Sequence, residues 1–118
     1  MDERELATPD EIEAAIKKNR WFWLLFLKAG PNRDQDEATL DRLQLAHLQH
    51  LTWLQRQGLL TLFGPVDDAG DLRGIGVVLV ETREAAEALL ANDPMVKAGR
   101  LVAEIKPWFT LPGGALPE

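Results

Sequence analysis

His47 and Asp93 are residue types suited to moving protons, and nothing else in this 118-residue chain explains either of them more simply. Advancing about 100° per residue along a helix places Leu40, Leu43, His47, Leu51 and Leu54 within roughly 80° of one another, with Leu48 on the flank. His47 therefore sits inside an apolar stripe, where an imidazole needs a partner for its ring N–H. Asp93 lies in the run Asp93-Pro94-Met95-Val96-Lys97-Ala98-Gly99. A carboxylate against the imidazole would fix its tautomer and oppose the loss of basicity that burial brings, as a general acid or base requires.

Each residue also has an ordinary structural reading. A core histidine can be satisfied by a single hydrogen bond, and Asp-Pro is a common way to stop a helix, its side chain capping nearby amides. A carboxylate at a helix C-terminus meets the unfavourable end of the dipole, which favours a cationic partner, either His47 or Lys97. His47 and His50 are three residues apart and could both reach one metal ion, but spacing marks no third ligand, so no metal site is expected.

What the chain lacks narrows the chemistry further. It contains no Cys, no Ser and no Tyr, which removes disulfides, thiolate zinc sites, serine and cysteine nucleophiles and a phenolic acid. None of the threonines stands in a nucleophile-elbow pattern. Thirteen basic residues face 19 acidic ones, for a net charge of −6, and no Lys/Arg-rich stretch stands apart. A nucleic-acid backbone would meet mostly repulsion. The chain opens on Asp2, Glu3, Arg4 and Glu5, and its longest apolar run, Trp21 to Leu27, is too short for a bilayer. These features predict a cytoplasmic protein with no membrane partner. With 46% hydrophobic residues, the length suits one domain.

The elements that must position His47 and Asp93 can be read in order. Thr8-Pro9-Asp10-Glu11 is a capping box with proline at the first helical position, predicting a helix from Pro9 to about Lys18. Its apolar face is narrow, so it should lie across the surface. Trp21 to Leu27 reads as a strand that is apolar on both faces, ending at Gly30-Pro31. Asp34 to Glu37 starts the longest helix and Gly58 ends it. Leu59 to Phe63 is a short strand ending at Gly64-Pro65, followed by an acidic loop from Val66 to Arg73. Ile75 to Glu81 is a second two-faced apolar strand. Thr82 caps a helix through Asn92, which Asp93-Pro94 stops. Leu101 to Trp108 is the last strand, with Pro107 predicting an exit at a sheet edge.

Strand, helix, strand, strand, helix, strand is the order of the ferredoxin-like split βαβ arrangement, an α+β fold. Two helices cover one face of its four-stranded sheet, yet three strands are apolar on both faces. A second copy packed sheet to sheet would cover the other face, so a homodimer is expected. Trp21, Trp23 and Trp108 are expected in core or interface, and Trp53 away from the helical stripe. Gly64 and Gly74 to Gly76 precede no helix start and make no phosphate loop; they shape backbone at the pocket mouth.

The long helix with His47-Leu48-Gln49-His50-Leu51, the strand Leu59-Leu60-Thr61-Leu62-Phe63-Gly64-Pro65, the Asp93 to Gly99 run and Ile105-Lys106-Pro107-Trp108 together resemble the YCII-related (YciI-like) family. The resemblance covers Trp21 to Leu111. It implies a dimeric α+β barrel of βαββαβ units; residues 1–20 fall outside it as an N-terminal helical extension, and 112–118 read as a flexible tail by composition. It also implies a histidine and aspartate dyad, matching His47 and Asp93, and for a few relatives dehydrohalogenase-type chemistry on hydroxylated rings. The chain departs from that pattern where it has Gln44 in place of an arginine one turn before the histidine, and Gly74 and Gly76 in place of a serine near the third strand. Anchoring of the substrate can therefore differ.

The expectation is an enzyme in which His47 acts as general acid or base and Asp93 orients it, in a lyase or isomerase step on a small organic molecule, cyclic or aromatic ones included. The pocket should lie between the long helix and the sheet, with Gly64, Pro65 and Lys97 on its rim and His50 as a further substrate contact. No cofactor is indicated. Whether the dyad forms within one chain or across the dimer stays open. The alternative is a non-catalytic ligand-binding or dimerisation module with His47 packed shut, and fold analogy alone adds an oxygen-using monooxygenase.

Overall fold

Thr8 accepts from the amide of Glu11 and Glu11 reaches back to the amide of Thr8, so the expected capping box forms and starts α1 (Pro9–Ile16). In this computed structural model residues 4–118 are described; Met1 to Glu3, the beginning of the expected N-terminal extension, lie outside the described residues. The remaining elements are β1 (Arg20–Ala29), α2 (Glu37–Arg56), β2 (Leu60–Pro65), β3 (Leu72–Val78), α3 (Arg83–Ala91), α4 (Pro94–Lys97) and β4 (Leu101–Thr110). α1 has no buried residue, because its apolar positions, Ile12 and Ile16, are too few to compete with packing elsewhere. No helix among the described residues is long and apolar enough to cross a membrane.

The strands form one antiparallel sheet in the order β2-β3-β1-β4, with β1 paired to β3 on one side and β4 on the other. That order around two crossover helices is the ferredoxin-like α+β arrangement. Alternation along β1 sends Leu25 and Leu27 to the helical face, where they join Val78 of β3, Ile105 of β4, Leu51 and Leu54 of α2, and Ala86 and Leu90 of α3 in one core. Leu24 and Phe26 pair with Lys106 and Glu104 on the opposite face, which no helix of the crossover units covers. There the tail from Leu111 to Leu116 borders a depression with Phe22, Val77 and Trp108.

Several boundaries differ from those expected. α2 starts within the expected Asp34 to Glu37 segment, at Glu37, because Asp36 is the residue whose carboxylate accepts from Thr39 N, at 2.7 Å. β3 begins at Leu72 and ends at Val78, since Val66 N donates to Arg73 O and draws the end of the acidic loop into the hairpin. β4 runs on through Pro107 to Thr110; it is an edge strand, so the missing amide of Pro107 costs no ladder bond on the open side. Trp21 and Trp108, expected in core or interface, are exposed in the single chain, with Trp21 tilted against Phe109 at 4.8 Å between ring centroids.

Asp93 occupies a different helix end from the one expected. α3 ends at Ala91, and Asp93 is the N-cap of the four-residue α4, a turn too short to leave a periodic pattern in the sequence. Its carboxylate therefore sits at the favourable end of a helical turn, where an amide can hold it.

Candidate active site

α2 carries His47 inward because its neighbours on the stripe, Leu51 and Leu54, are buried against the sheet. The α3–α4 junction carries Asp93 to the same place, and its side chain is fully buried. His47 Nδ1 lies 2.6 Å from Asp93 Oδ2, within one chain. The second carboxylate oxygen, Oδ1, accepts from Met95 N at 2.8 Å. Both oxygens are thus engaged, one by a main-chain amide that cannot turn away. An ionised carboxylate can only accept, so Nδ1 is the ring nitrogen carrying the proton. Nε2 is left with its lone pair free, and no described residue is hydrogen-bonded to it.

His47 stands in the wall of a partly enclosed cavity of about 460 Å³ between α2 and the sheet, a size suited to a small organic ligand. The floor is hydrocarbon: Leu25 and Leu27 of β1, Leu51 of α2, Phe63 of β2 and Met95 of α4. Gly64, Pro65 and Gly74 shape the mouth. Here β2 has a bulge between Thr61 and Gly64, with Leu62 at a φ of 49°, and Gly76 leaves room for Phe63, whose Cβ would lie 3.0 Å from any side chain placed there.

Of the other expected contacts, Lys97 is exposed and lies off this cavity, because the turn of α4 directs Met95 inward and Lys97 outward. His50 is off it as well: its Nε2 lies 2.9 Å from the carbonyl of Leu89, tying α2 to α3. His47 and His50 therefore serve different neighbours. Among the described residues no group of three or more His, Cys, Asp or Glu side chains is arranged to hold a metal ion.

Apart from Gln44, the polar part of the wall is one that the sequence did not single out. Arg33 from the loop after β1, Arg73 of β3 and Arg100 at the head of β4 all border the cavity, with Gln44 and Asp41 of α2. These arginines are scattered among acids and share no spacing; only the fold brings them together. Gly30 permits this, since a side chain there would collide with the Gly99 carbonyl, and the close approach lets Gly30 N donate to Arg100 O at 2.7 Å. Arg33 and Arg100 then each donate to the other's main-chain carbonyl, at 2.6 and 3.2 Å.

The split βαβ sheet with a crevice beneath its first crossover helix defines the class: small proteins of the ferredoxin-like α+β fold. Within that class the chain belongs to the YCII-related domain family, whose sequence profile matches residues 22–109. No curated protein sequence matches it. Among solved structures it is similar to the 5-chloro-2-hydroxyhydroquinone dehydrochlorinase TftG of Burkholderia phenoliruptrix AC1100, determined in complex with 2,5-dihydroxybenzoquinone. That similarity is 23% identity with a TM-score of 0.56, over 74% of this chain and 92% of that one. It is also similar to muconolactone isomerase, at 18% identity and a TM-score of 0.61, over 82% of this chain and 97% of that one. At these identities the likeness is one of fold.

Proposed function

We propose that this protein is a small acid/base enzyme of the lyase or isomerase type, acting on a cyclic or aromatic organic molecule held in the cavity beside His47. The observation that carries this reading is the 2.6 Å contact between His47 Nδ1 and the buried Asp93 carboxylate at the wall of that cavity. It leaves Nε2 as a base with a fixed tautomer. In an elimination, Nε2 takes a proton from a ring carbon, the C–H electron pair becomes a C=C bond, and a leaving group departs from the adjacent carbon with its own electron pair. In an isomerisation, the same imidazolium returns the proton to a different carbon. Asp93 stabilises the imidazolium in either case. Neither path needs a covalent nucleophile, and the chain has no Ser, Cys or Tyr to supply one. The dehydrochlorinase and the isomerase that share the fold run reactions of these two kinds by name.

The reading includes a homodimer, in which a second copy packs against the sheet face carrying Leu24, Phe26 and Trp108. An apolar sheet face without a helical layer is what such packing buries.

Incubating the protein in D₂O with chlorinated hydroxyhydroquinones and with muconolactone, and following deuterium uptake and product by mass spectrometry, tests the enzymatic reading. Turnover or exchange that falls at least a hundredfold in His47→Gln is expected, the scale on which a positioned acid or base contributes. Equal rates in the native and variant proteins, or no exchange anywhere in the panel, would count against it.

A further inference from the structure

This is an acidic chain, at a net −6, yet its cavity gathers positive charge. Arg33, Arg73 and Arg100 border it, against one carboxylate, that of Asp41. Among the described residues none of the three arginines has an acidic side chain within ion-pair distance. Their hydrogen bonds go to neutral oxygens. Arg33 Nη1 donates to Arg100 O, Arg100 Nη1 to Arg33 O and Gln35 Oε1, and Arg73 Nη2 to the carbonyls of Asp68 and Gly70. Among the described residues each guanidinium therefore keeps its Nε and one terminal nitrogen without a partner, and Arg73 Nε is buried in that condition. Slight desolvation and the neighbouring Arg100 and Arg73 charges hold the exposed Arg33 below the usual arginine range. Gathering like charges at one wall and leaving Arg73 Nε buried without an acceptor oppose folding, and a bound anion offsets both.

We propose that the cavity binds an organic acid through its carboxylate, which the Arg33, Arg73 and Arg100 guanidinium groups receive, while the hydrocarbon part of the ligand lies on Leu25, Leu27 and Phe63 toward His47. The planar fork of a guanidinium matches a carboxylate with two parallel hydrogen bonds, and the apolar floor suits a ring. This assigns the substrate class of the proposed enzyme: a cyclic carboxylic acid, anchored at one end and deprotonated at the other. The anchor itself does not depend on His47 being catalytic.

The experiment is a calorimetric titration with carboxylate and amide pairs of the same shape, benzoate against benzamide and 2,5-dihydroxybenzoate against 2,5-dihydroxybenzamide, with phenylphosphonate as a third arm. Each is run on the native protein and on Arg33→Gln, Arg73→Lys and His47→Gln, at 50 mM and 500 mM salt. At least one carboxylate should bind tenfold or more tightly than its amide, with a preference that shrinks at high salt. Arg33→Gln should reduce that preference severalfold, and Arg73→Lys, which keeps the charge but loses the fork, should weaken it while circular dichroism stays native. His47→Gln should keep the preference, since the carboxylate end of the ligand lies on the arginines; a native protein that shows the preference but neither turns over nor exchanges deuterium into any of these ligands would sink the catalytic reading alone. No carboxylate favoured over its amide, a preference untouched by the arginine variants, or phenylphosphonate binding tenfold more tightly than any carboxylate would overturn the proposal.

Discussion

Asp93 holds His47 by one carboxylate oxygen and the amide of Met95 by the other, so the ring that reaches the cavity is oriented by a group that is itself fixed to main chain. The carboxylate is an acceptor on both sides. An amide in its place could accept on only one.

Asp93→Asn should therefore fold but carry the wrong histidine tautomer. If the Asn oxygen keeps the Met95 N–H, its NH₂ faces His47 Nδ1, which must then offer a lone pair and move the ring proton to Nε2. Nitrogen NMR of His47 is expected to report Nδ1–H in the native protein and Nε2–H in the variant, with activity on any turned-over substrate down about a hundredfold or more. An unchanged tautomer would refute the assignment.

Removing His47 alone should destabilise the fold more than a neutral truncation does, because one Asp93 oxygen is left buried and unpaired. Breaking a buried pair from one side costs about 3–5 kcal/mol. His47→Ala combined with Asp93→Ala should cost less than the sum of the two single changes, with a coupling of about 1 kcal/mol or more in urea unfolding. Strict additivity would mean that the contact contributes nothing.

His50 gives the opposite expectation. Its Nε2 partner is the Leu89 carbonyl, away from the cavity. His50→Ala should lower stability by about 1–3 kcal/mol, since a part-buried carbonyl loses its donor, and leave ligand affinity unchanged. A loss of affinity with stability intact would return His50 to the site.

Gly30→Ala tests the junction that places two of the arginines. A methyl group at this position meets the Gly99 carbonyl, so the Gly30–Arg100 hydrogen bond must open. A loss of about 1–3 kcal/mol is expected, as for overpacking elsewhere, and Arg33 and Arg100 should separate. A variant as stable as the native protein would show that the two segments are free to part.

The open sheet face predicts association. Sedimentation equilibrium at micromolar concentration should give twice the 13.2 kDa chain mass, and Phe26→Glu should return it to the single-chain mass with the secondary structure retained. A native monomer would contradict the dimer.

Much of this arrangement was legible along the chain. The capping box at Thr8 to Glu11, the stripe that buries His47 and the glycine at the end of α2 are local patterns, read from residues within one or two turns of each other. The order of strands and helices narrowed the topology to one arrangement, because few pairings bury every apolar face. The burial of His47 and the resemblance of the run around Asp93 both point to the pair, although the Asp-Pro pattern reads as the end of one helix where Asp93 begins another.

What the sequence by itself determined is the order of the four strands and three longer helices and which side of the buried ones turns inward, since those follow from spacing and from the hydrophobic effect. Only the tertiary structure decided that Nδ1 and Oδ2 come within 2.6 Å across 46 residues, that Lys97 and His50 turn away from the cavity, and that three arginines with no common pattern line one wall. The reason is physical: a hydrogen bond depends on ångström-scale geometry, and that geometry is set by how the segments pack, which no single stretch of chain encodes.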